Sequence, residues 1–189
     1  MKIKIENFEN LVSALESLPS VGRKSAQRMA YHMVMEDHFG ALKIAHAIEK
    51  AVQSVQRCER CGAMSEDELC PVCSDLSRDH TKLCIVEHAK DILQIESSGE
   101  YDGTYFVVES VEHLDGSRLT ERIEEGVEEV IFAFTPGIAT DALILFIEER
   151  LKEYDIVFTK IAQGVPTGVS LENIDMLSLS RALQDRVKV

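Results

Sequence analysis

At 189 residues the chain is long enough to bury a real core, as one large domain or as two to three small ones. Its composition, 45% hydrophobic and 28% charged, excludes a fibrous or disordered chain, and 33 acidic against 20 basic residues exclude a uniformly basic nucleic-acid surface. No apolar run has signal-peptide form or approaches the roughly 18 residues of a membrane span, so a cytoplasmic protein without membrane attachment is expected.

The charge is unevenly placed. Residues 1–57 carry eight basic and six acidic side chains, whereas residues 81–157 carry six basic and eighteen acidic ones. Beyond a Debye length of about 8 Å the field of the acidic block is largely screened, so the N-terminal end remains able to meet phosphate.

Residues 8–18 place Phe8, Leu11, Val12, Leu15 and Leu18 at helical spacing, and Pro19 ends that helix. After the turn Ser20-Val21-Gly22, a second helix should put Ala26, Met29, Ala30, Met33 and Val34 on one face. A third, over 41–56, should face Leu42, Ile44, Ala45, Ile48, Val52 and Val55 inward. The stretch LPSVGRKSA (18–26) resembles a helix-hairpin-helix, in which a tight turn aims backbone N–H groups of the second helix at phosphate. Arg23, Lys24 and Arg28 would add charge there without reading bases. Ser20 stands where such hairpins usually have glycine, and a positive φ would cost it on the order of 1 kcal/mol. The alternative is an ordinary helical hairpin with a solvated basic turn.

Next, Cys58-x2-Cys61 and Cys70-x2-Cys73 enclose eight residues. In a reducing compartment two such knuckles point to one structural Zn2+ per chain, since four thiolates complete its tetrahedron; a redox dithiol pair is the competing reading. Cys84, inside an apolar run, is expected to be a small buried hydrophobe.

From residue 82, the runs KLCIVE, TYFVVE, VIFAF and DIVFTKIA alternate with helical stretches near 89–97, 118–125 and 139–152. That alternation predicts βαβ units on a mainly parallel sheet, followed by a terminal helix at MLSLSRALQDRV. Glu87, at the carboxyl end of the first strand, resembles the strand-end glutamate of the Toprim fold. Metal chemistry in that fold also needs an acid pair after a later strand, and here Phe132, Ala133 and Phe134 occupy the place. An active Toprim nuclease or primase is therefore disfavoured. His88 and His113 lack ligand spacing, the acidic runs 66–68 and 121–129 read as exposed faces, and Gly164–Gly168 reads as a structural loop.

The order of these pieces, with LCIVE, the LDG at 114–116 and the terminal stretch from Ile161 to Leu183, resembles the RecR family of bacterial recombination mediators over essentially the whole chain. The resemblance implies a multi-part α+β protein. It would have a helix-hairpin-helix unit (1–57), a four-cysteine zinc knuckle (58–80), a Toprim-like parallel α/β domain (81–162) and a Walker B-like oligomerisation segment (163–189). It further implies a non-enzymatic homo-oligomer, a tetrameric ring. The ring would hold single- and double-stranded DNA through Arg23, Lys24 and Arg28, and would work with RecO, and in many bacteria RecF, to load RecA on single strands. The family's acidic Toprim surface is associated with RecO, and Glu87 and Asp141 would represent it here. The family's Thr-Asn-Pro-x-x-Glu-Gly-Glu run appears as Phe134 to Asp141, with Ala139 replacing the first glutamate. A third reading, favoured by the net charge, is a zinc-stabilised assembly protein whose contacts are mostly to proteins.

Overall fold

The structure, a computed structural model, describes residues 5–110, 112, 114, 116–162, 168 and 170–184. Its chain falls into two compact units, Met1–Val55 and Gln56–Val189.

The first unit is helical: α1 (Glu6–Glu16), α2 (Arg23–Tyr31), a π-type turn over His32–Glu36 and α3 (His38–Ser54). Val12, Ala26 and Ala30 are fully buried where α1 meets α2, with Phe8, Leu11, Leu15 and Val21 packed around them. Two alanines on the buried face of α2 let the helix backbones approach closely. Val21 N–H donates to Leu18 O at 3.2 Å and Ala26 N–H to Gly22 O at 3.0 Å, which closes the turn and starts α2. Ser20 adopts φ +64°, the one left-handed non-glycine residue among those described. Asp37 caps α3 by accepting from the Gly40 N–H at 2.8 Å.

Several apolar side chains predicted to face inward do not. Leu18, Met29 and Val34 are exposed, and none of the 17 residues of α3 is buried. Leu42 is 71% exposed and Val52 79%. The reason is the size of the unit's core: among the described residues only Val12, Ala26 and Ala30 form it, and α3 meets chiefly the His32–Glu36 turn. Periodicity identifies a face that can be covered but does not supply the cover.

The second unit opens with a short antiparallel pair, β1 (Gln56–Arg57) and β2 (Met64–Ser65), and a single helical turn, α4 (Pro71–Ser74). A four-stranded parallel sheet follows, in the order β4 (Gly103–Val107), β3 (Asp79–Val86), β5 (Glu129–Ala133), β6 (Val157–Lys160). Helices α5 (Ala89–Ser98), α6 (Gly116–Glu124) and α7 (Ile138–Leu151) connect the strands, as the alternating pattern predicts. β3 is central, and its side chains alternate between faces. Leu83 and Ile85 enter the core built with Leu119 and Ile123 of α6 and Leu143, Ile147 and Leu151 of α7. Cys84 and Val86 enter the other, with Ile92 of α5, Tyr105 and the four knuckle cysteines. Each fully buried aliphatic side chain contributes about 1.5–3 kcal/mol.

A 3-10 turn (Leu171–Asn173) precedes α8 (Met176–Gln184), the expected terminal helix. His113, Asp115 and residues 164–167 of the glycine-containing loop lie outside the described residues.

Candidate zinc centre and nucleic-acid interface

The four knuckle cysteines converge. Cys58, Cys61, Cys70 and Cys73 are all buried, and their sulfur atoms lie within 4.8 Å of one another. Zn–S bonds of about 2.3 Å in a tetrahedron place sulfurs about 3.8 Å apart, and Cys61 Sγ stands 3.6 Å from Cys70 Sγ. The donor set fits one zinc ion with no open coordination position, so a bound metal would hold the fold together rather than act on a substrate.

Local structure explains the convergence. Gly62 N–H donates to Cys58 O at 2.9 Å and Cys58 N–H to Ala63 O at 2.7 Å, folding the first knuckle tightly. Gly62 sits at φ +78°, and a Cβ there would stand 3.3 Å from Val107 Cβ, so both backbone conformation and close packing call for glycine. In the second knuckle, Cys70 caps α4 and Pro71 occupies its first turn. Backbone N–H groups of Ala63, Cys70 and Cys73 point at the sulfurs of Cys61, Cys58 and Cys70, at 3.3–3.4 Å. Hydrogen bonding from Cys61, then Cys73, lowers the pKa of the Cys70 thiol, and the same contact with Cys70 raises that of Cys61. Cys84 is different: it is buried, and burial alone pushes its thiol up to about 12, so it is an inert apolar group.

The zinc loop is fastened to the sheet by residues the sequence did not single out. Val107 N–H, at the edge of β4, donates to Cys61 O at 2.8 Å. Arg122 of α6 is 3% exposed, bonds Glu125 and donates to Thr104 Oγ1 at 2.9 Å. Glu125 also accepts from Arg60, at 2.5 Å, and Arg118 donates to the carbonyls of Cys58 and Glu59. Burial lowers the pKa of Arg122, while Cys73, Cys61 and Cys58 act to raise it, which places this guanidinium in the field of the thiols. Arg78, mostly buried, ties the loop's exit to Glu96 of α5 and to the carbonyls of Tyr101 and Gly103. No sequence signal marked these arginines, because their partners lie up to 65 residues away.

In the helical unit the three predicted phosphate contacts divide. Arg23 bonds Glu16 at 3.0 Å and also pairs with Glu9, and Glu16 ahead of Glu9 holds its guanidinium more firmly protonated. Lys24 and Arg28 are exposed and have no ion pair among the described residues. They line one groove with Phe8, Gln27 and Tyr31. Gly22 caps α2 with open space in front of it.

On the sheet, Glu87 Oε2 accepts from Thr135 N–H at 2.9 Å, so this carboxylate anchors the loop after β5. Asp141, in the first turn of α7, instead lines a cavity with Phe132, Ile144, Leu145, Phe158 and Lys160. The two predicted acids do not share that cavity. Among the described residues the four cysteines form the only group suited to a metal, and no carboxylate cluster accompanies Glu87. His88 is exposed and caps α5, its N–H bonding Asp91 at 3.0 Å.

Comparison with known proteins agrees with this geometry segment by segment. Residues 8–52 match the family described as RecR, helix-hairpin-helix, and residues 55–75 match the four-cysteine zinc finger domain of RecR. Residues 81–162 match the Toprim domain and residues 164–187 match RecR, C-terminal. A protein of Nitratiruptor named Recombination protein RecR is 58% identical over 190 residues, covering all of both chains. Proteins of the same name from Helicobacter pylori, 49% identical over 99% of this chain and 97% of its relative, and from Campylobacter jejuni subsp. doylei, 44% identical over 98% of each, are also similar. With a four-cysteine centre, a helical hairpin and a parallel Toprim sheet all present, the chain belongs to the RecR family.

Proposed function

We propose that this chain is a non-enzymatic recombination mediator of recombinational DNA repair, acting in the cytoplasm as a homo-oligomer, a tetrameric ring that holds DNA independently of sequence. In this reading it works with RecO, and with RecF where present, to load RecA on single-stranded DNA. The observation that carries DNA binding is the pair Lys24 and Arg28, exposed on α2 without an ion pair among the described residues. Exposed, unpaired positive side chains attract phosphate, and such contacts do not read sequence. Arg23 contributes less charge in this reading, because Glu9 and Glu16 already hold it.

Oligomerisation is supported by α3. Ala41, Ile44, Ile48, Ala51 and Val55 recur at spacings of three and four, yet none is buried. A helix that leaves such a stripe uncovered is suited to pack against a second copy. A non-catalytic sheet is supported by Glu87, whose carboxylate is bound to the Thr135 N–H, and by Phe132, Ala133 and Phe134 at the neighbouring strand end. The acid-lined cavity at Asp141 and Glu148, with its apolar floor, offers the partner surface.

The test is DNA binding by full-length protein at increasing salt. Lys24→Ala with Arg28→Ala should weaken binding to every sequence and flatten the salt dependence by about two phosphate contacts. Unchanged binding would remove the hairpin from the interface. Mg2+-dependent cleavage that disappears in Glu87→Gln would overturn the non-enzymatic reading.

A further inference from the structure

The outer face of α2 is more specific than a patch of positive charge. Lys24, Gln27, Arg28 and Tyr31 follow one another at spacings of three, one and three, which puts them on one stripe. That stripe lies opposite Ala26 and Ala30, the buried face packed on α1. Together with Phe8 of α1 it lines a groove of about 540 Å3, within the range of sites that take small planar groups. Tyr31 is 54% exposed, and among the described residues neither its ring nor its hydroxyl has a polar or aromatic partner. The charge along the groove is graded. Lys24 stands in the first turn of α2 and Arg28 in its last, while the π-type turn beyond them holds Glu36, bonded to His32 Nδ1 at 2.6 Å.

Phosphate is attracted at the Lys24–Arg28 end and repelled at the Glu36 end. An aromatic face lies between, where an uncharged planar group fits best. We propose that this groove is a single-strand subsite: Lys24 and Arg28 take backbone phosphates, and the Tyr31 ring stacks on an unpaired base beside Phe8. A duplex keeps its bases stacked inside, so it can use the two cations but not the ring. Stacking on aromatic side chains tolerates every base and adds to electrostatic binding. The hairpin therefore prefers single strands over duplex by about tenfold, the affinity equivalent of one stacked base. This subsite rests on the DNA-binding reading above.

Fluorescence anisotropy of the full chain, with a labelled oligodeoxythymidylate and a duplex of equal length, separates the two. Tyr31→Leu should weaken single-strand binding about tenfold and leave duplex binding within twofold, whereas Tyr31→Phe, which keeps the ring, should bind both like the parent. Light scattering on each variant should give the parental mass. If Tyr31→Leu changes both ligands equally or neither, while Lys24→Ala with Arg28→Ala weakens both, the subsite is wrong and the DNA-binding reading stands. If the double variant also binds both ligands like the parent, the DNA-binding reading falls and the subsite falls with it.

Discussion

The two units of the chain solve the same packing problem differently. In the second, the central strand β3 sends Leu83 and Ile85 to one core and Cys84 and Val86 to the other, and its buried arginine is bonded to Glu125 and Thr104. In the first, Val12, Ala26 and Ala30 are the buried core among the described residues, and a 17-residue helix buries nothing. An apolar residue stabilises a chain only if the chain itself covers it. The sheet unit thus covers two cores of its own, while the helical unit leaves the apolar and basic faces of α2 and α3 largely exposed.

Removing the metal should have the largest effect on that contrast. Cys70→Ser, or treatment with a strong chelator, should drop bound zinc from about one ion per chain and destabilise the sheet unit by several kcal/mol, read by metal analysis and thermal melting. An equally stable metal-free protein would refute the zinc centre.

Paired substitutions sharpen the contrast next. Ile85→Ala, in the buried core, should cost about 2–5 kcal/mol in denaturant unfolding. Ile48→Glu, on the exposed stripe of α3, should leave monomer stability within about 0.5 kcal/mol but lower the mass measured by light scattering. A large stability loss without a change of mass would mean that α3 is covered within its own chain. Arg122→Ala should cost about 1–3 kcal/mol, because it removes a buried guanidinium that bonds the exposed Glu125 and leaves the Thr104 hydroxyl without that donor.

The turn offers a gain. Ser20 holds φ +64°, so Ser20→Gly should raise stability by about 0.5–1 kcal/mol, relief of the left-handed backbone outweighing glycine's greater freedom in the unfolded chain. A neutral or negative result would show that the Ser20 side chain compensates the strain.

The smallest expected effect is a pH response. Arg78, then Tyr105, lowers the Glu96 pKa against the opposing effect of burial. A carboxyl depressed on folding stabilises the protein above its unfolded pKa of about 4.3, and that contribution fades as pH falls through the folded value. Stability measured from about pH 6 down to about pH 3 should therefore decline less steeply in Glu96→Gln.

Local spacing made much of this legible. The cysteine knuckles show in the sequence because two thiolates three residues apart already share a turn, and the strands show as apolar runs separated by helical periods. Ser20 is readable as a candidate for strain because it stands where the resembled hairpin usually has glycine, and the structure gives it φ +64°. The candidate interface was only half readable. Lys24 and Arg28 announce themselves as charge, but Tyr31 joins them only once Ala26 and Ala30 have fixed the buried face of α2. Arg23 looked equivalent to its neighbours until α1 brought Glu9 and Glu16 against it.

By itself the sequence determined the order of the parts, the zinc ligands and the parallel strands, all set by interactions between near neighbours or by side-chain period. Only the tertiary structure decided which apolar faces are covered, which cations are already paired and that Glu87 anchors the Thr135 loop. Arg23 meets Glu16 from 7 residues away, Glu87 meets Thr135 from 48 and Arg60 meets Glu125 from 65, across helices and strands, and no local pattern encodes those meetings.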